Sequence, residues 1–235
     1  MNFNKTTKLF LMCAFLLTSL FTYAQDWANL KRYQSENSAL TTPAKNEKRV
    51  VFMGNSITQG WVEKRPDFFK NNPYIGRGIS GQTTPQMLVR FRQDVIALQP
   101  KVVVILAGTN DIAGNTGPST LEMIMDNIGS MAEIAAANKI KVVLCSVLPA
   151  YDYPWKKGME PNVKIPQLNE LIQAYCDKKG FVYLDYFAAM SDEKNAMIAE
   201  YTSDGVHCTA KGYELMESLV QPAIQKALKN KQKKF

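Results

Sequence analysis

Short apolar runs rich in β-branched and aromatic residues alternate along the chain with longer segments that mix apolar and polar positions. Runs of this kind are typical of strands that are buried on both faces of a parallel sheet. Five strands are predicted, at "RVVFMG" (49–54), "YIGRGI" (74–79), "KVVVILAG" (101–108), "KVVLCSVLP" (141–149) and "FVYLDY" (181–186).

The segments between these strands have helical spacing. Helices are predicted over 84–99, 119–139, 165–180 and from about Thr209 to Lys229. Strands that alternate with helices indicate an α/β protein, and right-handed crossovers then give a three-layer α/β/α sandwich around a parallel sheet of about five strands. Ligands bind beyond the carboxyl ends of the strands in such sheets, so the residues just after each strand are the candidates for chemistry.

The two ends of the chain differ from this pattern. Lys5 and Lys8 precede an apolar run that ends in small residues near Ala24, which predicts a Sec-type signal peptide over residues 1–24. The run is shorter than the roughly 20 residues that span a bilayer, so we expect an exported protein, periplasmic or secreted, without membrane insertion after cleavage. The polar stretch 25–48 is predicted to be an N-terminal extension leading into one domain, residues 49–229.

Charge and cysteine content narrow the possible partners and cofactors. The net charge of +7 falls to about +5 without the signal peptide, and much of the excess lies near the basic C-terminal tail, residues 230–235. No aromatic residue interleaves with these lysines before Phe235, which favours a solvated helix end over nucleic-acid binding. One histidine and no CxxC motif argue against a zinc site. Three cysteines would remain, Cys145, Cys176 and Cys208, an odd number that argues against a disulfide framework but leaves one pair open.

Candidate functional residues follow three of the predicted strands. Ser56 in "GNSITQGW" lies where a strand turns into a helix, a position that suits a nucleophile, although a helix cap is the alternative. Gly81 in "GISGQTT" offers either a backbone N–H to the crevice or a turn with positive φ. Asn110 in "GTNDIAGN" is either a neutral donor for an oxyanion or part of an Asx turn.

The only histidine, His207, follows the fifth strand in "SDGVHCT", three residues after Asp204. A carboxylate this close in sequence can fix the tautomer of the ring and stabilise the imidazolium, while a structural histidine is the alternative. All four segments fall at the same edge of the predicted sheet. This convergence favours one shared site.

The motifs "GNSIT", "GISGQTT", "GTND" and "DGVH", in this order, resemble the four blocks of the SGNH hydrolases, a subgroup of the GDSL esterases and lipases. The resemblance covers roughly residues 49–229 and implies a flavodoxin-like fold. It also implies Ser56 as nucleophile, His207 as general base and Asp204 as its orienting acid. An oxyanion hole would be formed by the Ser56 amide, the Gly81 amide and the Asn110 side chain. The implied reaction needs no metal or other cofactor.

Two positions depart from the family pattern. Asn55 stands where the family often has an acidic residue, which should matter little because the position lies outside the proton path. Gln82 occupies a position that is often Asp, which puts in doubt any supporting role for it.

The expected activity is hydrolysis of short-chain acyl esters through an acyl-enzyme. The favoured substrates are carbohydrates that carry O-acetyl groups. Aromatic residues near the site, Trp61, Tyr151 and Trp155, are candidate substrate-binding residues that would stack on a sugar ring, although Trp155 could instead pack onto the core. The chain is similar to exported carbohydrate O-acetylesterases and to the platelet-activating-factor acetylhydrolase-like branch. The alternatives are a lysophospholipase or thioesterase acting on longer acyl chains, and a catalytically inactive glycan-binding protein. The expected partner is a small-molecule or glycan ester.

Overall fold

One parallel sheet forms the centre of the protein. The computed structural model describes residues 26–230, so the predicted signal peptide and nearly all of the predicted basic tail lie outside the described residues. The strands are β1 (Val50–Gly54), β2 (Tyr74–Gly78), β3 (Val102–Leu106), β4 (Lys141–Cys145) and β5 (Val182–Leu184). They pair in the order β2-β1-β3-β4-β5, and every pair is parallel.

Helices cover both faces of this sheet. They are α1 (Gln34–Ala39), α2 (Ser56–Lys64), α3 (Pro66–Lys70), α4 (Thr84–Asp94), α5 (Thr109–Ile112), α6 (Leu121–Ala137), α7 (Pro161–Lys179), α8 (Phe187–Met190) and α9 (Ala210–Lys229), with 3₁₀ turns at Ile96–Leu98 and Ala199–Tyr201. Helices α4, α6 and α7 pack on one face, and α2, α3 and α9 pack on the other. The predicted three-layer α/β/α fold is confirmed. Within the described residues, no helix is both long and apolar enough to cross a membrane.

The two faces of the sheet explain why the central strands β1 and β3 are apolar throughout. Val51 and Met53 belong to one core, whereas Val50 and Phe52 belong to the core on the opposite face. Successive side chains of a strand point to opposite faces, so a central strand covered on both sides is apolar at consecutive positions. Strands β1, β2 and β3 also end level with one another. The loops that follow them therefore meet at one edge of the sheet.

Three predicted boundaries differ from the structure by more than two residues, and one of them is the end of helix α4, which lies at Asp94 instead of residue 99. Strand β4 ends at Cys145 rather than at residue 149, because residues 146–150 remain buried but leave the sheet. Helix α7 begins at residue 161 instead of 165 and continues through Pro166. A proline inside a helix leaves the carbonyl four residues earlier without its donor. That carbonyl belongs to Asn162, and the Asn195 side chain donates to it at 3.0 Å.

The polar N-terminal segment attaches to the sheet and to helix α4 by hydrogen bonds. Asn37 donates to Asp94 at 2.7 Å and accepts from the Arg77 guanidinium at 2.9 Å. The buried Tyr33 ring lies 4.6 Å from the guanidinium groups of both Arg32 and Arg77. Polar contacts of this kind do not need an amphipathic period, which is why the sequence pattern did not reveal them.

Candidate active site

A tight turn between β1 and α2 carries Ser56. A Cβ atom at Gly54 would lie 2.0 Å from Thr58 Oγ1, so the first turn of the helix approaches the strand too closely for any residue but glycine. The Asn55 side chain caps the helix by accepting from the Ile57 N–H at 3.2 Å. Ser56 is thus the first residue of α2, half-buried at the carboxyl edge of the sheet.

The loop before α9 carries the histidine and holds its neighbouring carboxylate. Asp204 Oδ1 accepts from the Val206 N–H at 2.9 Å and from the His207 N–H at 2.7 Å. The Thr202 hydroxyl closes the loop by donating to the His207 carbonyl at 3.0 Å. These local bonds fix the Asp204 carboxylate beside the imidazole.

Ser56, His207 and Asp204 form a continuous hydrogen-bonded chain. Ser56 Oγ lies 2.9 Å from His207 Nε2, and His207 Nδ1 lies 2.7 Å from Asp204 Oδ2. A carboxylate only accepts hydrogen bonds, so Nδ1 carries the proton and Nε2 is left to accept from the serine hydroxyl. This arrangement suits proton removal from Ser56 by the imidazole.

The environment of Asp204 keeps its carboxyl group ionised. Burial alone would raise the pKa of Asp204, but hydrogen bonds from the His207 amide and ring and from the Val206 amide outweigh it, and the pKa is lowered. An anion beside Nδ1 stabilises an imidazolium as it forms.

Contacts between helices α2 and α9 bring Ser56 and His207 together, although 151 residues separate them. The Tyr213 hydroxyl donates to the Ile57 carbonyl, and the Lys64 ammonium donates to the Cys208 carbonyl, both at 2.8 Å. Each bond ties an atom next to one of the two residues to the other helix. The distance between Ser56 Oγ and the His207 ring thus depends on the packing of these helices.

Trp61 is part of the core rather than of the cleft, so its assignment as a substrate-binding residue was wrong. It is 1% exposed and stacks on Phe68 and Tyr213 at centroid distances of 5.4 and 5.7 Å. Five residues along a helix correspond to a rotation of about 140°, which turns Trp61 away from Ser56. Tyr151 is 57% exposed and does not line the cleft either.

The loop after β2 places the Gly81 N–H at the cleft. Residues 79–82 form a β-turn closed by Gln82 N–H and the Ile79 carbonyl at 3.3 Å, with φ of +76° at Gly81. The Ser80 N–H donates to Gln59 Oε1 at 3.0 Å. Within the described residues, the Gly81 N–H has no acceptor. The first position of a helix likewise leaves the Ser56 N–H without an intrahelical partner.

Asn110 lies in the short helix α5 that follows β3, and its side chain is a third donor. Its side-chain nitrogen donates to the Gln82 carbonyl at 2.9 Å, and its second N–H is not engaged within the described residues. Asn110 also lines the same cleft as Ser56 and Gly81. The three donors that the resemblance implies therefore meet at one place.

Gln82 holds the loop that contains Gly81 through buried hydrogen bonds of its side chain. Its nitrogen donates to the Ala28 carbonyl at 2.7 Å, and its oxygen accepts from Arg90 Nε at 2.6 Å. The fully buried Arg90 also donates to the Gly54 carbonyl at 2.9 Å. Gln82 is thereby part of a buried network that links the Gly81 loop to the nucleophile turn.

The cleft itself is small and is lined mostly by residues with polar side chains. Its volume is about 210 Å³. It is lined by Ser56, Ser80, Gly81, Asn110, Asn115, Trp155 and His207. The Trp155 ring is 44% exposed and its centroid lies 6.1 Å from that of His207. Of the three aromatic candidates, Trp155 is the one that the structure brings to the site.

Comparison with known proteins agrees with this geometry. Residues 52–215 match the model of the GDSL-like lipase/acylhydrolase family. The chain belongs to this family. A solved GDSL-like lipase from Bacteroides thetaiotaomicron is 55% identical, with a TM-score of 0.82 over 85% of this chain and 98% of that one. The predicted family is confirmed, as is the predicted enzyme class, a carboxylic ester hydrolase.

Two more distant relatives of this GDSL-family protein are esterases. A human isoamyl acetate-hydrolyzing esterase 1 homolog is 28% identical over 76% of this chain and 82% of its own length. An acetylxylan esterase from Xylanibacter ruminicola is 24% identical over 80% of this chain, which spans only 45% of that relative.

The three cysteines that lie within the described part of the GDSL-family protein do not line the cleft. Cys145, Cys176 and Cys208 are all buried and free. Burial raises the pKa of the Cys176 and Cys208 thiols to about 12. Cys208 directly follows the loop that carries Asp204 and His207, and its sulfur lies 3.7 Å from that of Met216.

Sequence reasoning missed Ser80 and Asn115 as residues of the cleft. Asn115 ends the quoted motif "GTNDIAGN", and positive-φ glycines on both sides, Gly114 and Gly117, mark the sharp loop that presents it. Two glycines three positions apart, just after the "GTND" motif, were the signal in the sequence that could have indicated this loop.

Proposed function

We propose that the protein is a serine esterase that removes short acyl groups, chiefly acetyl, from carbohydrates through an acyl-enzyme. The observation that carries this proposal is the hydrogen-bonded chain from Ser56 through His207 to Asp204, which opens on a small cleft. Gly81 and Asn110 support it because both line that cleft and each keeps an N–H group that is not engaged within the described residues.

Acylation follows from these contacts. Ser56 Oγ attacks the ester carbonyl carbon while its proton passes to His207 Nε2. The carbonyl oxygen becomes an oxyanion that accepts from the Ser56 amide, the Gly81 amide and the Asn110 side chain. When the intermediate collapses, the bond to the alcohol breaks and His207 returns the proton to the leaving oxygen. The alcohol departs and the acyl group stays on Ser56.

Deacylation repeats these roles with water. His207 removes a proton from the water as its oxygen attacks the acyl carbon, and the same three donors hold the second oxyanion. The bond to Ser56 then breaks, and His207 returns the proton to Ser56 Oγ. The products are the carboxylic acid and the free enzyme.

The form of the cleft supports a short acyl group. Its volume of about 210 Å³ lies below the roughly 300–1,000 Å³ typical of pockets for larger ligands. No aliphatic side chain lines it within the described residues, whereas an enzyme for longer chains needs an apolar channel. Both distant esterase relatives carry names that refer to acetyl esters, which agrees with this choice.

Trp155 supports a sugar as the alcohol part. The general acid must reach the leaving oxygen, so the alcohol lies on the histidine side of the scissile bond. An exposed indole beside His207 offers the apolar face on which a sugar ring stacks. Export of the protein, which residues 1–24 suggest, would give it access to extracellular polysaccharides.

Acyl-chain selectivity tests this proposal. Parent and Ser56→Ala proteins are compared on p-nitrophenyl acetate, butyrate and octanoate, and on acetate release from acetylated xylan and mannan. We expect kcat/KM to be highest for acetate, acetate release from at least one polysaccharide, and no turnover by Ser56→Ala. A preference for octanoate would favour the lysophospholipase or thioesterase alternative. A parent that binds acetylated glycans without hydrolysing any ester would favour the inactive binding protein.

A further inference from the structure

Asn115 lies at the rim of the cleft and bonds to residues on both sides of it. Its backbone N–H donates to the Asn110 carbonyl at 3.0 Å. Its side-chain nitrogen donates to the Gly81 carbonyl at 3.2 Å, and its side-chain oxygen accepts from Trp155 Nε1 at 3.3 Å. One side chain thus connects the loop of an oxyanion donor to the aromatic residue beside His207.

Gly81 needs such a restraint more than other residues would. A glycine samples a wide range of backbone angles, and a Cβ atom at Gly81 would meet nothing within 4 Å, so packing does not hold this residue. Hydrogen bonds to two consecutive carbonyls hold it instead. Asn115 donates to the carbonyl of Gly81, and Asn110 donates to that of Gln82. Asn115 thus restrains the peptide plane that directly follows the Gly81 N–H, and together with the turn bond from the Gln82 N–H to the Ile79 carbonyl it limits where that N–H can point.

Trp155 is oriented by the same residue. Its ring stacks on the buried Tyr153 at a centroid distance of 5.0 Å, which fixes the plane of the indole. The Nε1–H bond to Asn115 then selects one rotation of the indole within that plane. An indole has a single donor, so the bond to Asn115 is the one direct hydrogen bond that orients this ring.

We propose that Asn115 is a positioning residue that holds the Gly81 donor and the Trp155 ring in register, and so couples oxyanion stabilisation to binding of the leaving alcohol. The inference rests on the proposed function, since both groups matter only when Ser56 attacks an ester. Preorganised donors are effective because they need not move as charge develops. Loosening Gly81 should therefore lower kcat even if its N–H is still present.

Three variants separate the two bonds of the Asn115 side chain. Asn115→Ala removes both of them. Asn115→Asp keeps an acceptor for the indole but loses the donor to the Gly81 carbonyl. Trp155→Phe keeps an aromatic ring but loses the donor to Asn115. The matched control is Lys156→Met, because the Lys156 ammonium donates to the Gly114 carbonyl at 3.2 Å and so joins the same two loops without a hydrogen bond to Gly81 or to the Trp155 indole.

The measurement is steady-state kinetics on phenyl acetate and on an acetylated xylo-oligosaccharide. Active sites are counted with a fluorophosphonate that reacts with the serine nucleophile, so a folding defect lowers the count and not kcat per site. We expect kcat per site on phenyl acetate to fall roughly 10- to 100-fold in Asn115→Ala and Asn115→Asp. Lys156→Met should stay within about twofold of the parent, as expected for a surface contact.

The xylo-oligosaccharide separates the effect of the bond between Trp155 and Asn115 from the effect of the bond between Asn115 and Gly81. Its KM should rise several-fold in Asn115→Ala and Trp155→Phe and stay near the parental value in Asn115→Asp. Parental kcat per site in Asn115→Asp, or losses confined to the number of active sites, would overturn the positioning role. Failure of the proposed function gives a different result, namely parental turnover by Ser56→Ala and no fluorophosphonate labelling of the parent.

Discussion

The buried carboxyl group of Asp111 should make the stability of the protein depend on pH. Asp111 is 2% exposed and accepts from the Thr84 N–H at 2.9 and 3.0 Å and from the Thr84 hydroxyl. Burial raises the pKa of Asp111 from 3.8 to about 6, although the hydrogen bonds from Thr84 act in the opposite direction. The folded protein therefore binds this proton more tightly than the unfolded chain does.

The sign and size of the effect follow from this difference in pKa. The protonated carboxyl adds stability that is complete below pH 3.8 and is lost as the pH rises to about 6. At about 1.36 kcal/mol per pH unit, the full contribution to the free energy of unfolding is about 3 kcal/mol. Between pH 7 and pH 4.5 the gain is about 2 kcal/mol.

Asp111→Asn removes this titration and leaves the other carboxyl groups in place. The variant also loses an acceptor for Thr84, but that cost does not change with pH. Urea denaturation of both proteins at several pH values gives the difference between their free energies of unfolding. We expect this difference to shift in favour of the parent by about 2 kcal/mol from pH 7 to pH 4.5. A difference that stays constant over this range would refute the reasoning.

Three further substitutions test the site and the core. His207→Ala should lower kcat for aryl acetates by roughly 10⁴-fold or more, because the chain has no second histidine; near-parental kinetics would reject the general base. Asn110→Ala should lower kcat by about 10²- to 10³-fold with little change in KM, and a change in KM alone would contradict its place in the oxyanion hole. Trp61→Ala should lower the free energy of unfolding in urea by about 3–5 kcal/mol without altering KM. A higher KM at unchanged stability would indicate instead that Trp61 binds substrate.

The fold was predictable because its signals are local. Each strand of a doubly covered parallel sheet must be apolar on both faces, and β1 and β3 show this in five consecutive buried residues. The position of Ser56, directly after a strand and at the start of a helix, also follows from the chain itself. Asp204 reaches His207 across only three residues, so their contact was visible in the motif.

Contacts between distant segments could not be predicted in this way. Trp61 is buried partly by Tyr213 of helix α9. The sequence around residue 61 does not show that this helix packs there. Helix α7 continues through Pro166 only because Asn195, far along the chain, satisfies the carbonyl that the proline leaves free. A pattern confined to one segment carries no information about a partner elsewhere.

The sequence by itself determined the order of strands and helices, the family motifs and the residues that face the carboxyl edge of the sheet, since each depends on neighbours within a few positions. The tertiary structure alone decided which of those residues meet. Packing of α9 on α2 sets the 2.9 Å contact between Ser56 and His207, and the loop after β3 carries Asn115 between Gly81 and Trp155. Hydrogen bonds act over about 3 Å, so chemistry that joins separate segments exists only once the core has fixed their distances.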